Sequence, residues 1–264
     1  MAKYTHGYHE AVLRSHRSRT AENSAAHLLP LLGAGDRLLD VGAGAGTITV
    51  DFANIVASVT ATEIGPEALE LTRATAAERG ATNIDFRVGD VHALPFGDDT
   101  FDVAHAHQVL QHVDDPVQAL REMARVTRPG GIVALRDSDY GGFRWWPENP
   151  QLDKWLVLYR SVAAHNGGEP DAGRRLLSWA HSSGLTDVVA TSSTWCYSNP
   201  EERVWWGHMW ADRIVDSAIS EQLVGLSLAT ERELAEISAA WREWAASDDG
   251  WFSVLHGEII CRVA

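Results

Sequence analysis

The residues best placed to do chemistry lie in one short stretch, LLDVGAGAGTITVDFA, from Leu38 to Ala53. An apolar run ends in the acid Asp40, and Gly42, Gly44 and Gly46 then alternate with alanine. Glycine carries no Cβ, so a ligand can approach the main chain closely at each of these positions. In open α/β sheets a bare turn between the first strand and the first helix lies beyond the carboxyl ends of the strands, where ligands bind. A dinucleotide fingerprint spaces its glycines G-x-G-x-x-G, and here the third glycine comes one residue early. No lysine follows to complete a phosphate-binding P-loop. The loop therefore suits a pyrophosphate poorly. An acid at position 40 makes electrostatic sense beside an ammonium. Glu63, 23 residues beyond Asp40, is an acid that can accept two hydrogen bonds from a ribose diol.

The chain must supply a sheet to hold this turn. Arg37–Val41, 58–62, Ile84–Val88, 101–106 and 131–136 read as strands, and Thr47–Val56, Pro66–Arg79 and Asp115–Val126 as helices. Pro66 opens its helix at the first turn and Gly80 stops it. Strand–helix alternation with short connections predicts a parallel sheet with helices on both faces and right-handed crossovers. Upstream, residues 10 to 32 have rough helical spacing. After Arg136 the rhythm changes. Residues 137–150, DSDYGGFRWWPENP, read as a loop, and 151–165 as a helix. A second loop, a helix over 174–183 and a strand over 186–197 follow, then two or three helices between 200 and 247 and a final strand over 251–263.

The stretch from Leu38 to Gly46 resembles motif I of the class I S-adenosylmethionine-dependent methyltransferases, an acid followed by G-x-G-x-G. The resemblance runs from about residue 36 to 136. It includes VGDVHALPF at 88–96, TFDVAHAHQVLQHVDDP at 100–116 and REMARVTRPGGIVAL at 121–135. The nearest subgroup is the UbiE-like small-molecule methyltransferases (methyltransferase type 11). The resemblance implies a Rossmann-like, mostly parallel seven-stranded sheet of order 3-2-1-4-5-7-6 with its last strand antiparallel. It implies S-adenosylmethionine as cofactor and S-adenosylhomocysteine as product. Asp40, Gly42, Ala43, Gly44, Gly46 and Thr47 would border the methionine moiety. Glu63 would hold the ribose, Ile64 would pack on adenine, and Gly89, Asp90 and Val91 would contact the adenine edge. We expect one domain, with a core over 31–139, 170–198 and 250–264 and a helical cap over 1–30, 140–169 and 199–249. Tyr4, His6, Tyr8 and His9 are candidates to fold over the cofactor as a lid.

A sulfonium methyl is already activated, so the enzyme chiefly aligns a nucleophile with it. A general base is needed only for a nucleophile that arrives protonated. His107, at the carboxyl edge of the fourth strand, is the first candidate for that base and also for contact with the cofactor. Asp137 and His208 are further catalytic candidates, and Asp139 and Tyr140 could orient the substrate. His112 reads as structural and His105 as a hydrogen-bonded core histidine. The HAH spacing has no clear third ligand, so no metal is expected. All eleven tryptophans fall at or after Trp145. They fit the core of a helical cap, an aromatic substrate pocket, or both. The expected acceptor is a small apolar or aromatic molecule with an oxygen, nitrogen or carbon nucleophile.

Two readings compete. A nicotinamide-dependent oxidoreductase is disfavoured by the glycine spacing and by the lack of a Tyr-x-x-x-Lys pair. A protein of the same fold that binds the cofactor without transferring methyl would share motif I, which reports binding alone. The formal net charge is −14 with no long basic run, which offers a nucleic-acid backbone no attractive surface. Cys196 and Cys261 read as two reduced core thiols. The N-terminus carries no signal-like apolar stretch and no segment suits a membrane span. These features predict a cytoplasmic protein, monomeric or homodimeric.

Overall fold

The computed structural model describes residues 18–264. Among these, strands β1 (Arg37–Val41), β2 (Ser58–Glu63), β3 (Ile84–Val88), β4 (Phe101–His107), β5 (Thr127–Ser138), β6 (Arg144–Trp146), β7 (Asp187–Tyr197) and β8 (Trp251–Arg262) form one sheet. The order is β3-β2-β1-β4-β5-β8, and neighbours are parallel through β5. β8 runs antiparallel to both β5 and β7. Phe252 of β8 pairs with Trp145 on one side and with Tyr197 on the other. β6 therefore continues the β5 edge of β8, and β7 forms the opposite, outer edge. With β6 set aside the order is the expected one. β6 is an eighth strand inside the stretch expected to be a loop. Its cause is aromatic: the Trp145 ring stacks on Phe252 at 5.6 Å and draws the chain onto β8.

Helix starts follow their caps. Asp115, Asn149 and Asn199 each accept a hydrogen bond from a first-turn N–H, and a proline occupies the first helical turn each time. These helices are α4 (Pro116–Val126), α5 (Pro150–His165) and α7 (Pro200–Arg213), in a series that begins with α1 (Ala21–Ser24), α2 (Thr47–Ala53) and α3 (Pro66–Glu78). α6 (Leu176–Ser183), α8 (Ala218–Gly225) and α9 (Glu231–Ala246) complete the set among the described residues. The helix expected over 10–32 is largely absent where it can be described, and residues 10–17 and the candidate lid lie outside the described part. Thr20 and Asn23 form a reciprocal cap that starts α1 only at Ala21, and Pro30 sits in a separate single turn, Leu29–Leu31. β5 is longer than expected because its Pro-Gly-Gly turn is absorbed as an irregularity opposite Phe101 and Val103.

Residues alternate faces along each strand. One face of the sheet buries Leu39, Val41, Val133 and Leu135 under Leu120 and Met123 of α4. The other buries Leu38, Val103, Ile132 and Ala134 under Phe52 of α2 and Leu28. A separate aromatic core joins α5, α7, α8 and α9 to Tyr140, Phe143 and Phe252. Trp155 lies at its centre, fully buried, with Trp210 at 4.6 Å and Trp241 at 4.9 Å in edge-to-face contact. Many of the tryptophans thus do the packing work of a cap. Cys261 is buried, but Cys196 lies exposed on β7, because that strand is the sheet edge.

Candidate active site

The loop after β1 turns on glycines that only glycine tolerates well. Gly42, Gly44 and Gly46 have φ of 69°, 57° and 78°, in the left-handed region. A Cβ on Gly42 would lie 2.5 Å from Val109 Cγ2, and one on Gly46 would lie 2.8 Å from Thr72 Cα. The main chain is pinned from outside as well. Thr72 Oγ1 donates to the Gly44 carbonyl at 2.9 Å, and Thr75 Oγ1 to that of Ala45 at 2.6 Å. The Gly44 N–H donates to Glu63 Oε1 at 2.6 Å, which fixes the acid across the mouth of the loop. Burial raises the Glu63 carboxyl above its ordinary proton affinity, against the pull of the Gly44 and Ile64 N–H groups. Gly42→Ala is expected to cost about 1–2 kcal/mol in the left-handed turn, because Val109 is β-branched and has little room to yield. Denaturant unfolding against the unsubstituted protein will read this as a matching loss of stability.

This loop forms one wall of a cavity of about 280 Å³. The other end of the same cavity is lined by Tyr140, Phe143, Trp195, Tyr197, Trp206 and Trp210. Ala43, Thr47, Glu63, Ile64, Gly89, Asp90 and Val91 all face it, as do Asp40 and His107. Ile64 is 59% exposed beside Glu63, an apolar surface ready to be covered by a flat ring. Asp90 Oδ1 accepts the His92 N–H at 2.9 Å and lies 2.7 Å from His92 Nδ1, which orients the acid at the cavity edge. The set fits an adenosyl cofactor: a main-chain wall at Gly42, Ala43 and Gly44, an acid at the end of β2 and an apolar shelf beside it.

Several expected residues are placed differently. The Asp40 carboxylate is not held out to an ammonium. Its Oδ2 accepts from Thr49 Oγ1 at 2.6 Å and its Oδ1 meets His105 Nδ1 at 2.9 Å, so it ties β1, β4 and α2 together. His105 is the fully buried, hydrogen-bonded core histidine that was expected. Asp137 does not line the cavity. It lies on the opposite face of β5, fully buried, where it accepts the Gln111 N–H at 3.1 Å and burial pushes its carboxyl up to about 7. Asp139 is held by Arg174 at 2.5 Å. His208 also misses the cavity. α7 presents Trp205, Trp206, Trp210 and Arg213 to it, and His208 is not among the lining residues.

His107 does line the cavity. It is 6% exposed, and neither ring nitrogen has a hydrogen-bond partner among the described residues. Burial first, then the charges of Arg19 and Arg136, lower its proton affinity well below the ordinary value. His107 is thus a neutral imidazole at neutral pH. Beside it in register lies Arg136, and opposite Arg136 across β5 and β8 lies Glu258. Arg136 Nε donates to Glu258 Oε1 at 3.1 Å and to Ser193 Oγ at 3.0 Å. Sequence reasoning missed Arg19, Gln108, Ser138 and Trp195, which this face brings to the cavity. The one local signal was parity: Ser138 shares its strand face with Arg136, and Asp137 does not.

Residues 39–135 match the methyltransferase-domain family. An uncharacterized methyltransferase of Schizosaccharomyces pombe is 32% identical over 97% of this chain and 95% of its own length. A ubiquinone/menaquinone biosynthesis C-methyltransferase of Bdellovibrio bacteriovorus is 43% identical over 39% of this chain and 44% of its own. The crystal structure of the YcgJ protein of Bacillus subtilis superimposes with a TM-score of 0.58 at 24% identity, covering 90% of this chain and 98% of that one, which speaks to the fold. No helix among the described residues is long and apolar enough to cross a membrane. A full-length relative, the domain match and a glycine-walled cavity with its acid in place agree: the chain belongs to the class I S-adenosylmethionine-dependent methyltransferases and is an enzyme of that family.

Proposed function

We propose that the cavity takes the cofactor along the glycine loop and a small apolar or aromatic acceptor under the cap. The observation that carries this reading is the continuity of one cavity from Glu63 and Gly44 to Trp195, Trp206 and Trp210. Gly42, Ala43, Gly44 and Thr47 border the methionine part, with Gly46 set back from the cavity against Thr72; Glu63 holds the ribose diol, and Ile64, Gly89, Asp90 and Val91 surround the adenine. The bound cofactor supplies an activated sulfonium methyl. The chain's own work is then alignment and exclusion of water, which together supply several kcal/mol of barrier lowering. The aromatic wall presents a flat acceptor edge-on to the methyl and keeps the pocket dry. His107, neutral and with no hydrogen-bond partner among the described residues, orients the nucleophile from the end of β4. The enzyme is cytoplasmic in this reading, which its two unpaired cysteines support, and it acts as a monomer or homodimer without nucleic acid.

Incubation with S-adenosylmethionine and a panel of aromatic and aliphatic acceptors, read by mass spectrometry, tests the proposal. Methylation confined to flat aromatic molecules is expected, and transfer only to polar aliphatic ones would contradict it. With an accepted substrate, His107→Ala should lower kcat about tenfold or more while cofactor affinity changes little. An unchanged kcat would remove His107 from the reacting end.

A further inference from the structure

The two ends of the cavity differ in charge. Among the described residues, its carboxylates gather at the adenosine end, where Glu63 and Asp90 lie, and Asp114 stands 3.4 Å from His92 Nε2. The acceptor end is lined by two guanidinium groups, Arg19 and Arg213, with a third, Arg136, directly behind Trp195. The Arg136 Cζ lies 4.8 Å from the Trp195 ring and that of Arg19 5.9 Å from it, while Arg213 lies 4.8 Å from Trp210. Among the described residues, the other titratable groups facing this end are His107, His112, Tyr140 and Tyr197, with His256 behind Gln108, Glu258 beneath Arg136 and His27 beside it.

The hydrogen bonds here have a defined direction. His256 Nδ1 lies 3.1 Å from the Val254 carbonyl and so must carry the proton; its Nε2 then accepts from Gln108 Nε2 at 2.9 Å. Gln108 Nε2 also donates to Ser138 Oγ at 2.7 Å, and Gln108 Oε1 accepts from Arg19 at 2.5 Å. With its oxygen accepting from Gln108, Ser138 keeps its own hydroxyl hydrogen to donate. Gln108 holds this arrangement with a φ of 55°, in the left-handed region. Among the described residues, this end of the cavity therefore presents the Ser138 hydroxyl and the guanidinium groups of Arg19 and Arg213 to a bound oxygen. Among the described residues it offers no strong base: burial first, and then the charges of Arg19 and Arg136, lower the proton affinity of His107 and His256 well below the ordinary value.

We propose that the acceptor is an aromatic hydroxyl bound as its phenolate, and that the methyl is transferred to that oxygen. This rests on the reading of the cavity as an acceptor site for aromatic molecules. The phenol gives its proton to solvent on binding. A lone pair of the phenolate oxygen forms the new O–C bond, the S–C bond breaks, and its electron pair stays on sulfur. The products are a neutral aryl methyl ether and S-adenosylhomocysteine.

The test uses 4-nitrophenol, whose ionised form has its own visible absorption band, with 4-nitroanisole as the neutral control. The protein is first saturated with S-adenosylhomocysteine. At a pH about one unit below the free phenol's pKa, binding should increase the phenolate band, with at least a tenfold shift in the ratio of ionised to neutral ligand. Arg19→Met should reduce that shift and Arg19→Lys should restore most of it. If 4-nitroanisole binds and 4-nitrophenol stays neutral in the site, the phenolate proposal fails and the aromatic pocket stands. If neither binds, the aromatic-acceptor reading fails and takes this proposal with it.

Discussion

Glu63→Ala should weaken S-adenosylhomocysteine binding by about 3 kcal/mol, or roughly 100-fold, with little change in thermal stability. The carboxylate stands at the end of β2 with Oε1 on the Gly44 N–H at 2.6 Å and Oε2 near the Ile64 N–H at 3.3 Å. Hydrogen bonds to a charged acceptor are worth about 1.5–3 kcal/mol each, and a ribose diol brings two donors to this one group. The substitution also frees the Gly44 N–H, which loosens the loop that the glycines shape. Isothermal titration separates these effects. A full loss in Glu63→Ala with partial retention in Glu63→Gln points to the ribose, since the amide oxygen still accepts one bond. Wild-type affinity in the alanine variant would remove Glu63 from the cofactor site.

The second large effect lies behind the cavity and concerns stability. Glu258→Ala should destabilise the fold by about 3–5 kcal/mol, because it leaves the Arg136 guanidinium uncompensated in the sheet. Arg136 is 1% exposed and Glu258 5% exposed. Burial lowers the Arg136 pKa to about 10 even with its partner present. Burial also pulls Glu258 upward, yet Ser193, His27, Thr191 and Arg136 together hold it below its ordinary value. Replacing both charges, Arg136→Leu with Glu258→Leu, should cost much less than the single change, since the desolvation penalty of a buried ion pair offsets most of its Coulombic gain and the double change leaves no charge unpaired. Denaturant unfolding of the two single variants and the double variant gives the coupling. Additive losses would show that the pair is not an energetic unit.

What the sequence made legible was local. The glycine spacing, the β1 and β3 spans and the position of Glu63 depend on neighbours in the chain, and they hold. Strand parity was legible too, and reading it through would have turned Asp137 away from the cavity and Ser138 toward it. Other features depend on contacts between distant segments. That Asp40 bonds to His105 is set by the register of β1 against β4. His208 misses the cavity because the cap packs α7 through Trp206 and Trp210. β6 exists because Trp145 finds Phe252, more than 100 residues away. Arg19 reaches Gln108 from a segment whose helical pattern gave no hint of it. Tertiary packing overrides local propensity in such places.

The most direct test of the account is a crystal structure of the protein with S-adenosylhomocysteine. The account predicts the ribose hydroxyls on the Glu63 carboxylate, the amino-acid part against Gly42–Gly46, and the sulfur directed toward His107 and Trp195. A ligand bound elsewhere, or one in this cavity with its sulfur turned from the aromatic end, would contradict it.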